Sequence, residues 1–326
     1  MTNIFFLFNS IGNGGIERNA RNISKGNFNS FVFTFKKQRS TALLNETINF
    51  SKLIKLLFEN KNGIIYVQNF RLLLPAILFK FINRGKLIYH IPIGLRSGFI
   101  ENIIYNFVFF FVDRIVVSTS KQKSNNKILN SLNKCIVQPY SMGSEFNLDI
   151  PYNKVLDINN NIKFLFIGRI ASQKGLDIFI KIIDRLNLEG LKCEGHVYGL
   201  NSNEKEYVES NLFAIDKSSN LFYHGECTVD PALFDDYDSL LFTSRYEGYG
   251  ILLAEALVSG IPILSSNCNF GPYDISNSGL YFNIIDDYED VNKWVSLIKK
   301  KGNVRNNWDA SDIYSLNNYM NKVINF

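Results

Sequence analysis

Short apolar runs alternate along this chain with longer stretches of helical periodicity. In the first half the runs are IFFLF (4–8), SFVFTF (30–35), GIIYVQ (63–68), KLIYHI (86–91) and RIVVSTS (114–120). In the second they are IKFLFIGR (162–169), CEGHVYG (193–199), LFYHG (221–225), SLLFTS (239–244) and IPILSS (261–266). Near-continuous apolar strands separated by amphipathic segments predict βα units and parallel sheets. In KGLDIFIKIIDRL, for instance, Leu176, Phe179, Ile180, Ile183 and Leu186 fall on one helical face. A polar, aperiodic stretch over 144–161 separates two halves, each opening on an apolar strand and a glycine-bearing turn. The expected architecture is therefore α/β, with two Rossmann-like doubly wound domains facing each other across a cleft. One domain is placed at 1–147, a linker at 148–161 and a second domain at 162–305. A last helix over 306–326 is expected to pack back on the first domain. In such sheets ligands bind at the carboxyl ends of the strands.

Composition narrows the class. The chain has 326 residues, 46% hydrophobic and 20% charged, as expected of a soluble two-domain protein. The opening MTNIFFLFNS has no basic segment ahead of its short apolar run, unlike a signal peptide. The longest apolar window, IIYNFVFFFVDRIVV (103–117), is interrupted by Asn106, Asp113 and Arg114 and falls short of a membrane span. It predicts a packed helix running into a core strand. The four cysteines are scattered without metal-ligand spacing, which suits reduced thiols in a cytoplasm. Charge is uneven. Residues 1–150 carry 19 Lys and Arg against 7 Asp and Glu, a net +12, whereas residues 151–326 sum to −7. The basic half is expected to meet something anionic, such as a membrane surface or a phosphate-bearing lipid acceptor. Nucleic acid is disfavoured, because the cations are dispersed and no recognition motif accompanies them.

Three constellations carry candidate chemistry. In LLFTSRYEGYGILLAEALVSGIPIL (240–264) a buried strand and a buried helix flank the turn EGYG. Gly248 and Gly250 let backbone amides approach a ligand, and the following helix N-terminus favours phosphate. Tyr249 and Ile251 share that turn. Glu255, one turn into the helix, suits a vicinal diol such as ribose, and Glu247 suits other hydroxyls of the same ligand. In FLFIGRIASQKG (164–175) Arg169 and Lys174 follow a strand end, where two fixed cations suit a diphosphate. Gly199 ends the neighbouring strand. In SIGNGGIERNA (10–20) Gly12, Gly14 and Gly15 form a strand-to-helix turn. Glu17 stands where a dinucleotide fingerprint needs glycine, which disfavours an oxidoreductase. His90 ends an apolar strand and is expected at the cleft, while His196 and His224 lie within strand-like runs and are expected to be structural. Asp236-Tyr237-Asp238 precedes its strand, so it reads as solvated, and no metal site is visible.

The combination of strand–Gly168-Arg169–x4–Lys174-Gly175 with Glu247–x7–Glu255 resembles retaining glycosyltransferases of the GT-B fold, family four (the glycosyltransferase group 1 domain family). LFYHG, GPYDI and GLYF occur in the family's order, and GNGGIER, YHIP and VVSTS line up more loosely in the first half. The resemblance implies transfer of a sugar from a UDP- or GDP-sugar to a glycan or lipid-linked oligosaccharide hydroxyl, with retained configuration and no metal. It implies that Arg169 and Lys174 hold the donor diphosphate, and that Glu247 contacts the sugar beside the Gly248–Ile251 amides. Glu255 would bind ribose, His90 would lie by the reacting face, and Gly15 near the phosphate or acceptor. The first domain would hold the acceptor. The implied setting is bacterial surface polysaccharide synthesis (O-antigen or capsule) in the cytoplasm, with peripheral contact to anionic membrane through the basic half. The chain is short for the family, and PYSMG (139–143) stands where an asparagine–glycine turn is usual. A GT-B nucleotide-sugar epimerase and a non-catalytic nucleotide-sugar or membrane-binding protein are the alternatives.

Overall fold

A computed structural model describes residues 3–8, 15–24, 29–34, 47–48, 50–92, 95, 98–143, 146, 156–158, 160–277, 283–300 and 320–324. The chain divides into two compact units, Met1–Ser144 with Asp312–Phe326, and Glu145–Ser311.

The first unit is built on β1 (Asn3–Phe8), β2 (Asn29–Thr34), β3 (Thr47–Ile48), β4 (Ile64–Val67), β5 (Lys86–Ile91), β6 (Arg114–Val117) and β7 (Cys135–Val137). These strands lie in the order 3-2-1-4-5-6-7, every described pairing parallel. Alternate residues of each strand feed two cores, because side chains along a strand point to opposite faces. Phe5, Leu7, Ile65, Val67, Leu87 and Tyr89 meet the helices Phe50–Glu59, Leu73–Asn83 and Phe99–Phe110 on one face. Ile4, Phe6, Ile64, Tyr66 and Ile88 meet Ala20 and Ile23 of the helix Gly15–Ser24 on the other, together with Val323 and Ile324 of the turn Met320–Ile324.

The second unit is built on β8 (Ile162–Ile167), β9 (Cys193–Tyr198), β10 (Leu221–Gly225), β11 (Ser239–Phe242), β12 (Ile263–Ser266) and β13 (Asn283–Ile285). Their order is 10-9-8-11-12-13, again all parallel. The helix Leu176–Leu188 buries the five expected residues and also Ile178 and Ile182. The order in which strands are added reverses between β8 and β11, which are parallel neighbours. The carboxyl ends of these two strands therefore meet at a topological switch point, where ligands bind in such sheets. This is the α/β architecture expected from the patterning.

Some boundaries differ from the sequence reading. β6 stops at Val117 instead of reaching residue 120, because a capping box opens the helix Ser120–Ser124. Thr119 Oγ1 accepts from the Gln122 amide, while Gln122 Oε1 accepts from the amides of Ser118 and Thr119. These local bonds withdraw the backbone from the ladder. The strands β3, β7 and β13 were not expected. Each has at most three residues, too few to establish a period. Gly12 and Gly14, most of the 148–161 linker, the GLYF segment and residues 306–319 lie outside the described residues.

Candidate functional site

The second unit places Lys174 and Glu247 in direct contact at the switch point. Lys174 closes a short 3-10 turn, Ser172–Lys174, that follows β8. Gly175 then adopts φ +69° to start the next helix, and a Cβ there would sit 2.1 Å from the Thr243 carbonyl oxygen. Only glycine lets the loop after β8 lie this close to the end of β11. Thr243 Oγ1 donates to the Gly175 carbonyl at 2.9 Å and ties the two loops together. The Lys174 stem packs on Gly168, and its Nζ donates to Glu247 Oε1 at 2.5 Å. Ser244 Oγ donates to the same Oε1 at 2.8 Å. Both bonds fall on Oε1, which leaves Oε2 without a hydrogen-bond partner among the described residues.

The turn carrying Glu247 is pinned on both sides. The Glu247 amide donates to the Asn269 carbonyl, and the Phe270 amide donates to the Glu247 carbonyl, each at 2.6 Å. Tyr249 is buried, and its backbone lies so close to Gly271 that a Cβ there would be 1.6 Å from the Tyr249 oxygen. Gly250, at φ +80°, caps the helix Ile251–Val258. That helix is buried along its whole length, Glu255 included. Its first amides, at Ile251 and Leu252, precede the intrahelical ladder and are donors by position. Arg169 is exposed and reaches Gln173 Oε1 with Nη2 at 3.2 Å. Gln173 in turn donates to the Tyr246 carbonyl at 3.0 Å, so Arg169 connects to the residue before Glu247. Gly199, at the end of β9, fits against the Gly168 carbonyl, where a Cβ would clash at 1.7 Å.

Arg245, which the sequence reading passed over, holds this assembly together. Its Nη1 and Nη2 donate to Asp177 Oδ1 and Oδ2 at 2.9 and 2.8 Å, and Nε donates to Glu289 Oε1 at 2.7 Å. Nη1 also donates to the Ser172 carbonyl at 2.7 Å. Burial pushes the Asp177 carboxyl up, but hydrogen bonds from Arg245 and Tyr207 outweigh it and hold it below its ordinary value. The Asp177 hydrogen bonds raise the guanidinium above its own. A bidentate pair of this kind fixes orientation as well as distance. The available signal was an arginine two residues before Glu247 and an aspartate in the first turn of the helix after Lys174.

His90 and Gly15 belong to the first unit. Gly15 opens the helix Gly15–Ser24. His90 lies on β5 with no solvent exposure, and burial lowers its imidazole to about 3. Its Nδ1 is 2.6 Å from the Tyr66 hydroxyl, and its Nε2 is 3.0 Å from Ser118 Oγ. Asn19 Nδ2 donates to the Tyr66 oxygen at 3.4 Å and extends the network beyond the ring. Asn19 is itself oriented by accepting from the Ser141 amide at 3.1 Å. The strand-end position was legible, whereas this buried network, with Asn19 and Tyr66, was not. Gln68, which follows β4, is also buried, and neither of its amide atoms has a hydrogen-bond partner among the described residues.

His196 and His224 meet on β9 and β10, with Nδ1 and Nε2 3.0 Å apart and rings 7° from parallel. Asp236 is exposed, and the part-exposed Asp238 accepts from the Lys163 amide at 2.8 Å and pins the start of β8. Among the described residues no three His, Cys, Asp or Glu side chains group as metal ligands.

Residues 152–311 match the family model described as glycosyl transferases group 1. An uncharacterized 41.2 kDa protein in the cps region of Klebsiella pneumoniae is 32% identical over 141 residues, 42% of this chain and 36% of that protein. The poly(ribitol-phosphate) alpha-N-acetylglucosaminyltransferase of Staphylococcus aureus (strain COL) is 26% identical over 108 residues, 33% of this chain and 22% of that enzyme. The chain thus spans well under two thirds of either relative. Among solved structures, Anabaena HepE in complex with UDP and glucose superposes with a TM-score of 0.78 at 16% identity, covering 100% of this chain and 99% of that one. The chain has the GT-B fold, and its residues 152–311 form a region of the glycosyl transferases group 1 family.

Proposed function

We propose that the protein transfers a sugar from a UDP- or GDP-sugar to a hydroxyl of a glycan or lipid-linked glycan, with retained configuration and without a metal. The observation that carries this reading is the Lys174–Glu247 pair at the switch point, with Glu247 Oε2 left unbonded among the described residues. Lys174 and Arg169 supply positive charge where a diphosphate leaves, and stabilisation of that leaving charge replaces a metal ion. Glu247 Oε2 accepts from a donor sugar hydroxyl, while Oε1 stays on Lys174 and couples sugar position to diphosphate position. The Ile251 and Leu252 amides add donors for phosphate, and Glu255 accepts from the ribose. His90, neutral and fixed in orientation, belongs to the acceptor-binding unit.

The names of the Klebsiella and Staphylococcus relatives support a place in surface polysaccharide assembly. An acceptor of that kind is borne on a lipid at the cytoplasmic membrane face, and the +12 charge of residues 1–150 suits such a surface.

Saturation-transfer NMR against a panel of nucleotide sugars, with Glu255→Ala as control, tests the donor site. One donor should give a signal that the variant loses, and silence across the panel from folded protein would overturn the reading. With that donor, a product formed only when acceptor is present, unaffected by EDTA and keeping the donor's anomeric configuration, is the expected outcome. A changed nucleotide sugar without acceptor would identify an epimerase instead.

A further inference from the structure

The helices Phe50–Glu59, Leu73–Asn83 and Phe99–Phe110 cover one face of the first sheet with their inner sides. The outer sides of Leu73–Asn83 and Phe99–Phe110 are largely apolar too. Of the 18 large hydrophobic residues exposed among the described residues, ten lie on these three helices. In Phe99–Phe110, Tyr105, Val108 and Phe109 are buried, while Ile100, Ile103, Ile104, Phe107 and Phe110 face out at 43–78% exposure. Only Glu101, Asn102 and Asn106 of its 12 residues are polar, and a helix so nearly apolar all round is normally enclosed on all sides. This one is enclosed on one side only.

The outward residues form one ridge. Leu74, Leu78 and Phe81 line the outer side of Leu73–Asn83, and the Phe81 ring meets Phe111 at 6.1 Å. Phe111 meets Phe107 at 5.5 Å and Phe110 at 5.3 Å, which joins the two helices' stripes. Contiguous exposed apolar surface on this scale marks an interaction site.

Charge and backbone chemistry select the occupant. Residues 50–114 carry nine Lys and Arg against three Asp and Glu, so the ridge is set in a net charge of +6. A symmetric dimer through this face would set that positive charge against itself. An anionic lipid surface complements it, with aromatic residues entering the interface and basic residues at headgroup level. The end of the helix is also prepared for leaving water. Lys134 Nζ donates to the carbonyls of Phe109 and Val112 at 2.7 Å each, and Lys80 Nζ donates to that of Phe111 at 2.8 Å. Carbonyls that would otherwise need water are satisfied from within the protein.

We propose that this ridge, centred on Phe81, Phe107 and Phe110, is a docking surface that inserts into an anionic bilayer. It deepens the proposed function by naming the face that meets the membrane, and rests on that reading only for its purpose. Simple attraction between the basic half and lipid would be abolished by salt, whereas apolar insertion survives it.

Flotation of the full chain with phosphatidylcholine vesicles containing about a quarter phosphatidylglycerol tests this. The wild type should float, and should float in reduced but measurable amount at high salt. The Phe107→Ser/Phe110→Ser variant should lose about tenfold of its bound fraction. Its melting temperature and nucleotide-sugar NMR signals should match those of the wild type. Wild-type protein left in the soluble fraction, or a variant that floats equally well, would overturn the proposal. So would a wild-type dimer in sedimentation velocity that the variant abolishes, which would assign the face to a second copy. No donor enters the flotation, so a failed donor reading and a failed docking surface are separate results.

Discussion

The partners of the Lys174–Glu247 pair differ in how far they are withdrawn from water, with side-chain exposures of 21% and 9%. Removing one partner therefore does not mirror removing the other. Lys174→Met strands a carboxylate in a nearly closed site and is expected to cost about 2–3 kcal/mol of unfolding free energy. Glu247→Gln leaves an ammonium that can turn to solvent, and should cost under about 1 kcal/mol. Under the proposed function both should lower transfer about 100-fold or more, since each would remove a charge aimed at the donor. Denaturant titration separates the two variants, and equal stability losses would contradict the asymmetry. These residues were legible in the chain because each falls a fixed step after a strand. Arg245 was not, because its role depends on Asp177 and Glu289, which only folding brings to it.

At the level of elements, the loops after β8 and β11 must touch for the site to exist, and two glycines make that contact in different ways. Gly250 needs a positive φ but has room, the nearest atom to an added Cβ being Phe242 Cζ at 3.3 Å. Gly250→Ala should cost about 1–2 kcal/mol, the left-handed penalty. Gly175 combines a positive φ with a backbone oxygen 2.1 Å from the added Cβ, so Gly175→Ala must also push the two loops apart. It should be the more destabilising of the two and should weaken nucleotide-sugar binding, measured by thermal unfolding and calorimetry. A smaller loss at Gly175 than at Gly250 would contradict the close approach. Apolar runs long enough to show a period, such as β1, β5 and the helix Leu176–Leu188, were read correctly along the sequence. The three-residue strands β7 and β13 owe their conformation to the neighbours they pair with.

The whole molecule sets the acid response. His90 is neutral and enclosed in the native chain, its imidazole lowered to about 3 by burial, whereas the unfolded chain binds a proton near pH 6.5. As pH falls below about 6.5 the unfolded state gains a proton that the native state refuses. Stability contributed by the neutral ring is present above that pH and is lost progressively down to about 3. The expected slope from this one group is about 1.4 kcal/mol per pH unit. His90→Asn should reduce the measured slope between these limits by one proton, read from denaturant unfolding at several pH values. An unchanged slope would show that the ring is protonated in the fold.

The sequence by itself determined the parallel α/β class, two sheets of βα units, the strand ends that precede Arg169, Lys174 and Glu247, and the helix that carries Glu255. These follow from local periodicity and from glycine turns, which neighbouring residues along the chain suffice to specify. Only the tertiary structure decided that Lys174 pairs with Glu247, 73 residues away, that Arg245 clamps both loops, and that His90 is sealed in a hydrogen-bonded network. It also decided which side of Phe99–Phe110 is buried, since nine of the 12 residues of that helix are apolar or aromatic and the pattern barely distinguishes its faces. Burial and long-range pairing are properties of the packed chain, and no local spacing encodes them.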